Sequence, residues 1–228
     1  LLTKTTHTKL IILIDPDKYN PDLVDLANVC KVSYIFVGGS SIKHNNFEKT
    51  IKSIKSKTQI PVIIFPGDET QISKHADGLL LLSLLSGRNP DYLIGKHVNA
   101  ALRIKASNLK TIPTGYILVN GGKASTTQKI TKTKALSSSK EIVNTAIAGE
   151  LLGKQLIYLE AGSGAKKVVT PALIRQVKKN ISIPLIIGGG IDSVAKAKNI
   201  LAANPDYMVI GNALEKTPQL ILELNKLF

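Results

Sequence analysis

Asp15-Pro16-Asp17-Lys18 puts two carboxylates and an ammonium on one short turn stiffened by proline. Such a turn suits Mg²⁺, which is held through one or two carboxylates while substrate phosphates complete its shell. Gly38-Gly39-Ser40-Ser41 offers backbone that a ligand can approach closely, and a hydroxyl that can join a metal or a phosphate. Tyr158-Leu159-Glu160-Ala161-Gly162-Ser163-Gly164 sets one glutamate, an acid or base, beside a cradle of backbone N–H groups. Gly188-Gly189-Gly190-Ile191-Asp192 and Gly211-Asn212-Ala213 are two further glycine turns. Singly, each has a plainer explanation: an acidic turn or helix cap for the first, tight turns for the rest. Three glycine turns after three successive apolar runs form a coherent phosphate cup, although a cup does not name a reaction. His7, His44, His75 and His97 are scattered, and none follows such a run. With no well-placed His, Cys or Lys nucleophile and no Ser–His–acid arrangement, isomerase and Schiff-base chemistries lose ground. One glutamate, a metal turn and a phosphate cup point instead to substitution at a diphosphate, where the metal carries the leaving-group charge.

The elements that must position these residues follow from the apolar pattern. Runs at 10–14, 34–37, 62–65, 79–82, 116–119, 156–159, 185–187 and 207–210 are rich in Ile, Val and Leu and do not alternate with polar residues. They read as strands buried on both faces. Helical periodicity fills most gaps, at 22–30, 47–56, 92–106, 140–152, 171–179, 193–202 and 218–227, with Pro21, Pro171 and Pro218 at first-turn positions. Eight alternations predict an α/β fold, a single (β/α)8 TIM barrel spanning residues 1–228, rather than a doubly wound open sheet. Active sites of such barrels lie on the loops after the strands, where every stretch named above falls. Two gaps break the rhythm. Residues 66–78 are too few for a crossover helix with its loops, so helix 3 is expected to be shortened or replaced, opening the helical ring. Residues 120–139 are long and polar, and their place after strand 5 favours a lid over a loose surface loop.

Composition narrows the class. The length is ample for a core, and 43% hydrophobic with 20% charged residues is globular rather than disordered. Thirty Lys and Arg against 16 Asp and Glu give a net charge of +14, with Arg only at 88, 103 and 175. Nucleic acid is a poor fit, because 4% aromatics and no Trp leave little to stack on bases, and the lysines are spread rather than striped. A basic surface could steer anions or touch an anionic membrane peripherally. Cys30 is alone, so no intrachain disulfide can form and a reducing compartment is expected. No apolar run approaches the ~20 residues of a membrane helix. LLTKTTHTK at the start has no apolar signal-peptide region, which gives a cytoplasmic expectation, and Met208 is the only methionine, so the chain as given lacks its initiator.

In that setting LIDPDK at 13–18, VGGSS at 37–41, PTGYILVNGGK at 113–123, IYLEAGSGA at 157–165, IIGGGI at 186–191 and VIGNA at 209–213 become recognisable. Together they resemble the geranylgeranylglyceryl phosphate synthase family, from about Leu10 onward and in the right order. The wording GYILVNGG and the long loop after it look closer to the larger, group II branch. The related PcrB-type heptaprenylglyceryl phosphate synthases have a YLEYSG-like sequence, from which this chain departs. The resemblance implies transfer of a geranylgeranyl group from geranylgeranyl diphosphate to the C3 hydroxyl of sn-glycerol 1-phosphate. It places Mg²⁺ on Asp15 and Ser40, with Asp17 behind them. It places glycerol 1-phosphate on Tyr158, Leu159, Glu160, Ala161, Gly162, Ser163, Gly164, Gly189, Gly190, Gly211 and Asn212. Glu160 would be the catalytic residue that orients or deprotonates the attacking hydroxyl. The family also lacks a regular third helix, and its group II members suggest a homo-oligomer, dimer or hexamer. Open alternatives are a family member with another chain length such as heptaprenyl, another phosphate-binding barrel enzyme, or a basic binding protein.

Overall fold

The computed structural model describes residues 1–39 and 46–228. Strands β1 (Lys9–Ile14), β2 (Tyr34–Val37), β3 (Val62–Ile64), β4 (Gly78–Leu84), β5 (Thr111–Leu118), β6 (Leu156–Glu160), β7 (Leu185–Gly188) and β8 (Tyr207–Ile210) pair in parallel and in sequence order. β8 returns to β1 through Lys9 opposite Tyr207, which closes the barrel. Two cores result, because neighbouring side chains on a strand point to opposite faces. Ile11, Phe36, Ile63, Leu80, Ile186 and Val209 fill the barrel, while Leu10, Ile12, Ile35, Val37 and Ile187 face the helices. Both faces are dry, so the strands read as unbroken apolar runs.

Helices α1 (Pro21–Val29), α2 (Phe47–Lys57), α3 (Lys96–Ser107), α4 (Thr126–Thr131), α5 (Ser139–Leu151), α6 (Pro171–Asn180), α7 (Val194–Leu201), α8 (Asn212–Lys216) and α9 (Leu220–Asn225) make up the outer layer. Side-chain caps start many of them: Asn20, Ser138, Thr170 and Ser193 each accept a first-turn N–H. One wide helical turn, Asp91–Gly95, leads into α3. Most expected elements recur with ends moved by a residue or two. β5 is the exception. It begins at Thr111, not 116, and the Pro113 and Gly115 inside it hide its first half from a propensity reading.

The expected interruption of the ring is present. Residues 65–77 carry no helix between β3 and β4. The 120–139 stretch is ordered around α4, whose Ser125 and Gln128 form a reciprocal capping box. It is tied to the barrel by Asn120 and Leu136, whose N–H groups donate to Leu136 and Leu118 carbonyls. The expected terminal helix over 218–227 is shorter, and α8 precedes it.

At the opposite end of the barrel, Asp206 is 1% exposed and accepts N–H groups from Leu185 and Thr5 at 2.9 Å each. The Tyr207 hydroxyl donates to the Thr3 carbonyl at 2.8 Å. The first residues of the chain are thereby pinned across the barrel floor, with Leu2 buried in the inner core. Among the described residues, no helix is long and apolar enough to cross a membrane.

Candidate active site

Leu156 and Tyr158 of β6 point into the barrel, so Glu160 at the strand's end has the same inward parity and borders the mouth. Its Oε1 accepts the backbone N–H of Gly162 at 2.7 Å, and the Tyr158 hydroxyl hydrogen-bonds the same carboxylate. Both bonds favour the ionised form. Burial opposes them and prevails, pushing the carboxyl up from 4.5 to about 7. A carboxyl so placed exchanges protons near neutrality, as a general base must. Tyr158 and Tyr116 are held well above the ordinary tyrosine value, by burial first and then by the charge of Glu160. They are hydroxyl donors at any working pH.

The loops after β6, β7 and β8 form one continuous wall beside Glu160. Gly162, Gly164, Gly189 and Gly190 all have positive φ, and backbone N–H groups in such turns make concave anion sites. The Asn212 amide donates to the Ser163 hydroxyl, joining the loops after β8 and β6 across the β7 loop between them. Of the residues the family resemblance assigns to glycerol phosphate, Tyr158, Glu160, Ser163, Gly164, Gly189, Gly190, Gly211 and Asn212 line this one cup. Leu159 and Ala161 do not line it. Leu159 faces the outer core by strand parity, and Ala161 packs there beside it, so they hold the loop rather than the ligand. Gly162 contributes its N–H to Glu160.

Asp15 follows β1 and reaches the cup from the other side. Its Oδ1 accepts the Asp17 N–H at 3.0 Å, and its Oδ2 lies 3.7 Å from the Lys18 ammonium. Lys18 also donates to Glu215 at 2.9 Å, which raises its pKa further. Gly39 packs against the Asp15 carboxylate, and Gly38 lies so close to the Phe65 carbonyl that a Cβ there would meet it at 1.9 Å. Ser40 lies outside the described residues. Among those described, no three His, Cys, Asp or Glu side chains gather into a metal cage. One carboxylate at the rim of an anion cup suits a Mg²⁺ that would take its other ligands from water and phosphate. Asp15 fits that ion.

A second space opens from the same mouth through the gap left by the missing helix. Leu79, Leu80, Leu82, Ile72, Ala100 and Ile104 line it, and it is overwhelmingly apolar. Its outer edge is clasped: Lys96 of α3 bonds Glu69 at 2.8 Å and Asp68 at 3.3 Å, and Arg103 donates to the Glu69 carbonyl. His97 lines the groove, and its Nε2 donates to the Leu82 carbonyl at 2.7 Å. Phe65, Tyr116 and Thr127 border both the cup and the groove. A sequence reading passes over these three. Phe65 looks like the last residue of a strand, and Thr127 belongs to a polar loop. Tyr116 could have been found from its inward parity with Ile112 and Leu118.

Fold and mouth together define a (β/α)8-barrel enzyme that joins an anion cup to an apolar groove. Comparison narrows the class: the chain belongs to the PcrB family, which it matches over residues 3–226. The geranylgeranylglyceryl phosphate synthase of Flavobacterium johnsoniae is 47% identical over 218 residues, covering 93% of this chain and 90% of that protein. The enzyme of the same name from Chitinophaga pinensis is 45% identical over 219 residues, with 93% and 87% covered. The crystal structure of (S)-3-O-geranylgeranylglyceryl phosphate synthase from Thermoplasma acidophilum, in complex with its substrate sn-glycerol-1-phosphate, matches with a TM-score of 0.89. It is 32% identical, with 96% of this chain and 91% of that one covered.

Proposed function

We propose that this protein transfers a geranylgeranyl group from geranylgeranyl diphosphate to the C3 hydroxyl of sn-glycerol 1-phosphate in a Mg²⁺-dependent reaction. One observation carries the reading: a cup suited to phosphate and a groove suited to hydrocarbon share a wall at Phe65, Tyr116 and Thr127. A molecule with a charged head and a long apolar tail is the natural occupant of both. The tail gains about 0.8 kcal/mol per buried CH₂. The Thermoplasma relative's substrate supports glycerol phosphate as the second occupant.

The residues divide the work by charge. The turns at Gly164, Gly189, Gly190 and Gly211, with Ser163 and Asn212, hold the glycerol phosphate. Asp15 would hold Mg²⁺, which when bound neutralises charge on the departing diphosphate. Glu160 aligns the C3 hydroxyl and takes its proton as oxygen attacks the prenyl carbon. Fixing both anions at one mouth supplies much of the rate, since bimolecular attack becomes effectively intramolecular. Lys18, already neutralised by Glu215 and Asp15, adds little net charge at the cup.

The test is product analysis by mass spectrometry with sn-glycerol 1-phosphate, Mg²⁺ and prenyl diphosphates from C10 to C35. The expected product is the C20 ether. A preference for C35 would move the assignment to the heptaprenyl relative, and no turnover at any length would overturn it.

A further inference from the structure

If the diphosphate occupies the cup and the tail occupies the groove, then C1 of the prenyl group lies where the two spaces meet. That junction is aromatic. Phe65 and Tyr116 border both spaces, with ring centroids 5.8 Å apart and planes at 70°. Tyr158 completes a triangle, 5.4 Å from Phe65 and 5.3 Å from Tyr116. Tyr116 is only 6% exposed, and its hydroxyl hydrogen-bonds Thr127, so the ring is held in place. Phe65 is held by Phe36, stacked at 6.1 Å within the barrel. Among the described residues, the third that borders both spaces is Thr127, and none of the three is charged.

We propose that the rings of Tyr116 and Phe65 are catalytic residues of the transfer, touching C1 and stabilising the positive charge that develops on it. The inference rests on the transferase reading above. The C1–O bond to diphosphate breaks and its electron pair leaves with the diphosphate. The C3 hydroxyl oxygen forms the new bond to C1, and its proton passes to Glu160. Between those events C1 is electron-poor, and the negative π-face of an aromatic ring attracts a cation most strongly where water is excluded. A ring is also a poor nucleophile toward an allylic cation, so it can stabilise the charge without capturing it, as water or a carboxylate would.

Ring electronics can be separated from ring shape at position 116. The Tyr116→Phe variant serves as reference for a series carrying one, two and three ring fluorines, which weaken the π-face with little change in size. The kcat with geranylgeranyl diphosphate should fall stepwise with each fluorine, while the Kd for sn-glycerol 1-phosphate from calorimetry stays level. Tyr116→Leu and Phe65→Leu should each lose about 30-fold in kcat. Tyr116→Phe should restore most of the loss seen in Tyr116→Leu. A flat fluorine series, or a Phe variant as slow as the Leu variant, would overturn the proposal. Failure of the unmodified protein to turn over any prenyl diphosphate would strike the transferase reading itself, and the inference with it.

Discussion

A β-carbon on Gly189 would sit 2.2 Å from Oε1 of Glu160 and 2.5 Å from the backbone nitrogen of Gly162. The β7 loop is therefore packed directly onto the carboxylate and its hydrogen-bond donor. Gly189 also has φ +87°, which an L side chain rarely adopts. The position of the proposed general base thus depends on one missing carbon. Gly189→Ala should push Glu160 out of line and lower kcat about 100-fold, the order expected for misplacing a reacting group by an ångström. Circular dichroism should stay unchanged, since the barrel's hydrogen bonds lie elsewhere. Unaltered kcat would show that Glu160 does not need its observed place.

Glu160 should leave two pH signatures. Its carboxyl titrates at about 7, so kcat/KM should rise with pH through that value, and the limb should vanish in Glu160→Gln along with most of kcat. Affinity for glycerol phosphate should change far less. The stability effect runs the other way. A carboxyl raised from 4.5 to about 7 favours the fold while protonated, fully so below about 4.5. That contribution is lost as pH rises through 7. Glu160→Gln should therefore melt several degrees higher than the unmodified protein at pH 8, and no higher at pH 4. For a chain of this size each kcal/mol moves Tm by roughly 2–4 °C.

Asp15 makes a prediction about the metal. Chelation should abolish turnover while leaving calorimetric binding of glycerol phosphate, because the proposed seat of that anion is backbone with Ser163 and Asn212. Asp15→Asn should shift the Mg²⁺ titration of activity about tenfold higher, since one of very few protein oxygens for the ion loses its charge. An unshifted titration would exclude Asp15 as a ligand.

Asp206 predicts stability without chemistry. Asp206→Ala leaves the N–H groups of Leu185 and Thr5 without their acceptor, at a cost of about 1–3 kcal/mol for each that stays dry. Thermal melting should show the loss, and kcat at 25 °C, per folded molecule, should not follow it.

The barrel was legible from one chain because parallel strands dry on both faces announce themselves as apolar runs, and because the mouth of a barrel is a known distance along the chain from each. The cup was legible for the same reason: Glu160 ends a strand, and Ser163, Gly189, Gly190 and Asn212 follow strands. Contacts between distant segments were not. Nothing local in the sequence links Lys18 to Glu215, or Lys96 to Asp68 and Glu69. Asp206 carries a floor that no motif marks, and Pro113 with Gly115 concealed the strand that delivers Tyr116. The break in the ring was readable as a short gap, whereas its lining needed α3 and β4 in three dimensions.

That break gives the site a second opening beside the barrel mouth. On the proposed function, small anions would come and go through the mouth, between the glycine turns. A prenyl tail would leave between residues 65–77 and α3, beside the bridge from Lys96 to Glu69. On that same function, glycerol phosphate would arrive, and diphosphate depart, while the hydrocarbon stays seated, and crowding at a single entrance would not dictate the order of traffic.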